Sequence, residues 1–376
     1  MTDASLALRA ELIDRLTASG VVRDPAWEQA ARAVPREAFL RDGYFSAIHQ
    51  PGAPTQYQPV QPGDAAWLPG AYRDESLVTQ LDGNTTAAGT SGPIQGAPTS
   101  SSTLPSLVLR MLEDLHVEED MRVLEIGTGT GYSTALLSER LGDGNVVSIE
   151  VDKRVSIRAG NALTSLGYHP ELVVGDGLLG HKESEPYDRV IATCQVTDVP
   201  QNWIDQTKPG GIILATVGGW LHSSELARLT VISEREARGH LLTGNVSFML
   251  ARPQSPPPFG LLPDLDAGDE RTTPIGADLL GDWTARFVMQ LAAPAIQRLD
   301  LPRHGRTEHV LLDVETGAWA AAYIARERWV VRQGGPYEVW DRIEEQIARW
   351  QASGSPDLSA FQISVMDGVQ SVTWSE

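Results

Sequence analysis

Val123–Gly142 reads VLEIGTGTGYSTALLSERLG. A short, mostly apolar run leads straight into three closely spaced glycines, and an apolar pattern at helical spacing follows. That order is a buried strand, a tight turn and a helix. The same unit recurs downstream. NVVSIEVD and KRVSIRAGNALTSLGY give a second strand and helix, PELVVGDG a third strand and PYDRVIATCQV a fourth. PQNWIDQTKPGGIILATVGG supplies another helix and a fifth strand. Strands alternating with helices predict a Rossmann-like, doubly wound α/β sheet, mainly parallel. RLTVISEREARGHLLTGNVSFMLA reads as an antiparallel addition at its edge.

In open sheets of this kind, ligands bind beyond the carboxyl ends of the strands. Gly127, Gly129 and Gly131 stand at that end of the first strand. Glycines let a ligand approach the backbone, and the following helix offers N–H groups. The spacing is GxGxG rather than the dinucleotide GxGxxG, and no Gly-Lys-Ser/Thr phosphate loop is present. Acids mark the ends of the first three strands, at Glu125, Glu150 and Asp176. Glu150 is placed to accept both ribose hydroxyls of a nucleoside, which disfavours a 2′-phosphate. Asp176, followed by Gly177, suits an adenine amino group.

Ahead of the glycine strand, Thr99–Thr103 reads TSSST, between SGPIQGAP and LPSLVLRMLEDL. Ser102 or Thr103 is the expected helix N-cap, with Pro105 tolerated in the first turn. A cap uses one or two hydroxyls, whereas five are present. Ser100, with Thr99 and Ser101, is left to donate hydrogen bonds to an anion, and the helix N-terminus adds its positive end.

The chain has 376 residues, 41% hydrophobic and 21% charged, which is a soluble globular composition of roughly two domains. A net charge of −19 weighs against a nucleic-acid partner. No run approaches the ~18 apolar residues of a membrane helix. The opening MTDASLALRAELIDRL has none of the marks of a signal peptide, so a cytoplasmic location is expected. The single cysteine, Cys194, excludes an internal disulfide and fits a reducing compartment. The histidines lack metal-ligand spacing, and no metal site is expected.

Residues 1–98 read as N-terminal helices, the second capped by Asp24 and opened by Pro25, followed by a Gly-, Pro- and Thr-rich connector over 43–98 that is expected to act as a lid. Residues 99–252 form the α/β domain, 253–274 a Pro- and Asp-rich linker, and 275–376 an α+β accessory domain closing in a hairpin. Six of the ten tryptophans lie in that last region, where they fill a small core or line a peptide groove. The oligomeric state is left open.

ELIDRLTASGVV, VPREAFL, VLEIGTGTGYSTALLSERLG, VVGDGLLG, PYDRVIATC and VPQNWIDQTKPGGIIL together resemble, in order, the protein-L-isoaspartate O-methyltransferases, class I S-adenosyl-L-methionine-dependent enzymes. The similarity spans about residues 8–219. It implies a seven-stranded sheet and S-adenosyl-L-methionine as cofactor, released as S-adenosyl-L-homocysteine. The acceptor it implies is an aspartyl or isoaspartyl carboxylate in a peptide or protein. The implied cofactor-binding residues are Glu125, Gly127, Thr128, Gly129, Gly131, Glu150, Val151, Asp176 and Gly177, with Ser102 and Thr103. In the family a Gln-x-Thr/Ile-Ser turn contacts the substrate carboxylate and the donor, and the helix register puts Ser100 at its hydroxyl.

The chain also departs from the family pattern. Pro105 and extra hydroxyls replace Ser-x-Pro-x-x-x-Ala, and ATCQVTDVP stands where an Ala/Gly-rich loop is usual. The 43–98 connector and the C-terminal domain are absent from the minimal repair enzyme. These departures resemble a branch that methylates an aspartate in ribosomally made peptides cross-linked by ATP-grasp ligases, the graspetides, where the ester closes to a succinimide (aspartimide). General isoaspartate repair and non-catalytic donor or peptide binding are the alternatives. A nucleic-acid amino-methyltransferase would carry Asn/Asp-Pro-Pro-aromatic after the fourth strand, where TCQV stands.

Overall fold

The computed structural model describes residues 3–50 and 53–374. Two helices open the chain, α1 (Asp3–Ala18) and α2 (Pro25–Ala33). As the sequence predicts, Asp24 caps α2 by accepting from the Ala26 N–H, and Pro25 takes the first helical position, where no amide hydrogen is needed.

The expected connector is a folded sheet. Strands β1 (Tyr44–Ile48), β2 (Gln56–Val60), β3 (Leu77–Leu81) and β4 (Pro98–Ser102) form an antiparallel sheet of order β2-β1-β3-β4, with α3 (Trp67–Ala71) between β2 and β3. Phe45, Leu81 and Ala87 form its buried centre, against which Tyr57, Val78 and Ile94 pack. The TSSST segment is therefore mostly strand. Its hydroxyls lie opposite β3, in the register Leu77–Ser102, Val78–Ser101 and Gln80–Ser100.

Helix α4 (Pro105–Asp114) follows. Its N-cap position is Leu104, which makes no side-chain cap, so Ser102 and Thr103 do not cap it. The 74–76 loop does that work: Ser76 Oγ accepts from the Leu104 N–H and Asp74 from the Ser106 N–H.

The α/β core runs through β5 (Val123–Ile126), α5 (Tyr132–Leu141), β6 (Val146–Glu150), α6 (Lys153–Leu166), β7 (Glu171–Val174), β8 (Tyr187–Val196), α7 (Gln201–Asp205) and β9 (Thr207–Gly218). β5 pairs in parallel with β6 and β8, and β6 with β7, as the alternating pattern predicts. All four β5 residues are buried, consistent with a strand covered on both faces. β10 (Ser224–Ser233) and β11 (Glu236–Leu241) continue the chain.

Further on lie β12 (Glu270–Thr272), α8 (Trp283–Ala292), β13 (Ile296–Arg303), β14 (Arg306–Asp313), β15 (Trp319–Ala325), β16 (Arg328–Gly334) and α9 (Val339–Ala352). The five strands form an antiparallel sheet, β12-β16-β15-β14-β13. Trp340, Trp319 and Trp350 are buried, and Trp283, Trp329 and Trp374 are half-buried, so the tryptophans mainly fill core. The closing hairpin, β17 (Phe361–Met366) and β18 (Val369–Trp374), does not join that sheet. β17 pairs with β11 over Glu236–His240, and the main sheet has nine strands rather than seven, in the order β18-β17-β11-β10-β9-β8-β5-β6-β7.

The described chain divides into two compact units. One holds residues up to Thr193, with Pro200–Leu214 and Thr230–Arg235; the other holds Cys194–Val199, Ala215–Leu229 and the chain from Glu236 onward. Among the described residues no helix is long and apolar enough to cross a membrane.

Candidate active site

The site lies entirely in the first unit and begins with the turn after β5. Gly127, Gly129 and Gly131 have φ of 96°, 54° and 90°, the left-handed region that side chains avoid. Gly131 caps α5, and a Cβ there would stand 3.2 Å from Ala159 of α6, so the turn sits tightly on that helix. Backbone bonds fix the loop: the Gly127 N–H donates to the Ile149 carbonyl, and the Gly131 N–H to that of Thr128. From the other side the Thr193 hydroxyl donates to the Ile126 and Gly127 carbonyls.

The three acids do different jobs. Glu125 is fully buried and accepts from the Thr134 and Ser148 hydroxyls. Burial raises its pKa. Thr128 shares a 2.7 Å bond with Ser148, so Glu125 and Thr128 belong to a buried network beneath the loop. Glu150, at the end of β6, is 8% exposed and accepts from the Gly129 N–H through Oε2 and the Asp152 N–H through Oε1. Each carboxylate oxygen keeps a second lone pair for a ligand hydroxyl.

Asp176 caps a short turn by accepting from the Leu178 N–H through Oδ1. The register pairs Glu150 with Val174, so Val151 and Asp176 both lie just past the carboxyl ends of neighbouring strands, Asp176 one residue beyond the Gly175 whose N–H donates to the Glu150 carbonyl. Val151, Val174 and Leu179 are exposed apolar side chains around these acids, a ready surface for a heterocycle. A Cβ at Gly177 would meet Ile126 Cγ2 at 2.4 Å, so only glycine lets this turn close on β5.

The hydroxyl strand reaches the same loop. The Ser101 carbonyl oxygen lies 3.6 Å from where a Gly129 Cβ would stand. A cavity of about 170 Å³ opens there, lined by Thr79, Ser100, Gly129 and Thr130 together with the apolar Phe39 and Val155. Ser100 is 6% exposed, and its Oγ accepts a 3.1 Å bond from Thr79, which leaves its own hydrogen to be donated.

Its neighbours are committed elsewhere. Thr99 donates to Gln80 Oε1 and accepts from the Gly83 N–H. Ser102 Oγ accepts from Arg36, as do the Ser102 and Thr103 carbonyls. Gln80, fully buried, donates in turn to Asp152, the N-cap of α6 just past Glu150. The structure thus brings Ser100 and Gly129 to one cavity, and sets Glu150, Val151, Asp176 and Gly177 at the adjoining strand ends.

Sequence reasoning missed Thr79, Thr130, Phe39, Arg41 and Arg158, which line the cavity, and Arg36 and Gln80, which brace it. VPREAFL carries Arg36 and Phe39, Arg41 follows it directly, and Thr79 and Gln80 lie in the alternating LVTQL.

The family model for protein-L-isoaspartate(D-aspartate) O-methyltransferase matches residues 84–243. A protein-L-isoaspartate O-methyltransferase of Cytophaga hutchinsonii is 32% identical over 229 residues, 61% of this chain and 84% of that protein. One from Archaeoglobus fulgidus is 33% identical over 181 residues, 48% of this chain and 74% of that protein. The chain belongs to the protein-L-isoaspartate O-methyltransferase family. The match to a relative from Methanococcus maripaludis is 44% identical over 110 residues but spans only 52% of that protein.

A solved structure described as a protein-L-isoaspartate O-methyltransferase superposes with a TM-score of 0.57 at 21% identity, covering 98% of this chain and all of the other. Its fold therefore extends over the C-terminal region as well. S-adenosyl-L-methionine fits the residues present. Glu150 keeps lone pairs for ribose hydroxyls, Val151 and Leu179 offer apolar surface beside Asp176, and Gly129 and Gly177 leave room for close approach.

Proposed function

We propose that this protein is an S-adenosyl-L-methionine-dependent carboxyl O-methyltransferase that esterifies an aspartyl or isoaspartyl carboxylate in a peptide, during maturation of a ribosomally made peptide. The observation that carries the reading is the shared cavity, which Ser100 and the Gly129 turn both line. Glu150 would hold the donor's ribose, and Asp176 with Val151 and Leu179 its adenine. Bound there, the donor supplies a methyl group already activated by a sulfonium.

The chain's own task is placement. A carboxylate with a reference pKa near ~4 is anionic at neutral pH, so no general base is required. Ser100 donates one hydrogen bond to it, which orients the anion without the full charge pairing that would blunt it as a nucleophile. Phe39, Ala38, Val155 and Ala162 give the cavity an apolar wall that limits water. Holding two reactants in line at contact distance is worth about 7–11 kcal/mol of barrier. In the product, a neighbouring backbone nitrogen attacks the ester carbonyl, methanol leaves, and a succinimide closes.

One departure from the family pattern supports a dedicated peptide substrate: a hydroxyl-rich strand in place of the usual turn. General isoaspartate repair is the second reading. It is favoured by the relatives named above and by the solved structure of that description, which covers nearly the whole chain.

Mass spectrometry of peptides incubated with enzyme and donor tests both. A gain of about 14 Da and then a loss of about 32 Da marks ester formation and ring closure. Activity confined to one precursor supports tailoring, and activity on many unrelated isoaspartyl peptides supports repair. No gain on any peptide refutes both.

A further inference from the structure

The mouth of the Ser100 cavity carries two guanidiniums, Arg41 and Arg158, and one carboxylate, Asp42. They reach it from segments far apart in sequence. Arg41 and Asp42 follow the turn Arg36–Phe39, and Gly43, at φ 77°, closes this corner where a Cβ would press on the Val60 carbonyl at 2.6 Å. Arg158 projects from α6 on the face that also presents Val155, Asn161 and Ala162 to the cavity. Asp42 stands 3.7 Å from Arg158, a loose pair whose members are 58% and 32% exposed. Arg41 is exposed and has no hydrogen-bond or ion-pair partner among the described residues.

The mouth is therefore net positive on a chain whose total charge is −19. The acceptor itself needs only the neutral donor at Ser100, so these cations have other work. Building on the carboxyl-methyltransferase reading, we propose that Arg41 and Arg158 form a specificity subsite for a second carboxylate, on an Asp or Glu beside the acceptor residue. The preferred substrate is then an acidic peptide. Guanidinium recognises carboxylate through paired charge-assisted hydrogen bonds, and Asp42 weakens the subsite by sharing Arg158. The cations also draw an acidic peptide toward a protein whose overall charge would repel it.

The test compares kcat/KM for matched peptides that carry either Glu or Gln beside one aspartyl or isoaspartyl acceptor. Wild type prefers the Glu peptide by about 5- to 30-fold at low ionic strength, and the preference shrinks as salt rises. Arg41→Gln with Arg158→Gln brings the ratio close to one, and Asp42→Asn raises it above wild type. Equal use of both peptides by wild type overturns the subsite, as does a preference that survives in the double variant. If neither peptide gains a methyl group, the carboxyl-methyltransferase reading fails first and takes the subsite with it.

Discussion

Arg36→Lys is the substitution most sharply constrained by the structure. Arg36 is 1% exposed, and its guanidinium makes six bonds: Nε to Ser102 Oγ, Nη1 to the Ala71 and Arg73 carbonyls, and Nη2 to the Glu75, Ser102 and Thr103 carbonyls. Burial lowers its pKa to about 10, so it stays charged at neutral pH. One side chain thus ties the turn that carries Phe39 to the 71–75 loop and to the end of β4. Lysine presents three N–H groups from a single point, so at least three of the six acceptors lose their partner. At about 1 kcal/mol net per bond, the loss is about 3 kcal/mol. That corresponds to a melting temperature lower by about 6–12 °C for a unit of this size. Urea unfolding followed by tryptophan fluorescence reads it directly. A variant within about 0.5 kcal/mol of wild type would refute the argument that this clamp fixes the cavity wall.

Three further outcomes follow from the same geometry. In Glu150→Gln the amide keeps one acceptor oxygen for two backbone N–H groups, and the ribose acceptor is weakened; calorimetry should show S-adenosyl-L-homocysteine binding about 10- to 100-fold more weakly. Burial raises the Glu125 pKa, so the protonated form suits the fold better, and its share of the stability is greatest below the ordinary value near ~4.3. Between that value and the raised one, urea midpoints of wild type should fall relative to those of Glu125→Gln as pH rises, and parallel profiles would contradict the sign. Gly131→Ala places a Cβ 3.2 Å from Ala159 at φ 90°, and should cost about 1–2 kcal/mol in unfolding experiments.

The glycine turn and the strand-end acids were legible because each is a local demand. Positive φ needs glycine, and Glu150 and Asp176 follow directly from where their strands end, whereas Glu125, the third residue of β5, turns into a buried network that only the fold reveals. The N-cap at Asp24 was legible for the same reason. The sheet over Tyr44–Ser102 was not, because strands such as QYQPV and PTSSS are polar enough to read as loop, and only their pairing with LVTQL reveals them. The placement of the last hairpin is a long-range pairing with β11 that no nearby residue announces. Arg36 reads as an ordinary surface arginine in PREAF until two separate segments, 71–75 and 102–103, converge their carbonyls on it. Arg41 and Arg158 meet at one cavity only because the fold brings the start of the first sheet and α6 together.

The proposed function requires Ser100 to donate the hydrogen bond that holds the acceptor carboxylate beside the activated methyl group. The most direct measurement pairs single-turnover methyl transfer with calorimetric donor affinity in Ser100→Ala. The predicted result is a rate lower by about 100-fold, as expected when a reactant is misplaced by an ångström or so, with S-adenosyl-L-homocysteine affinity within about twofold of wild type. An unchanged rate, or a loss of rate matched by an equal loss of donor affinity, would contradict it.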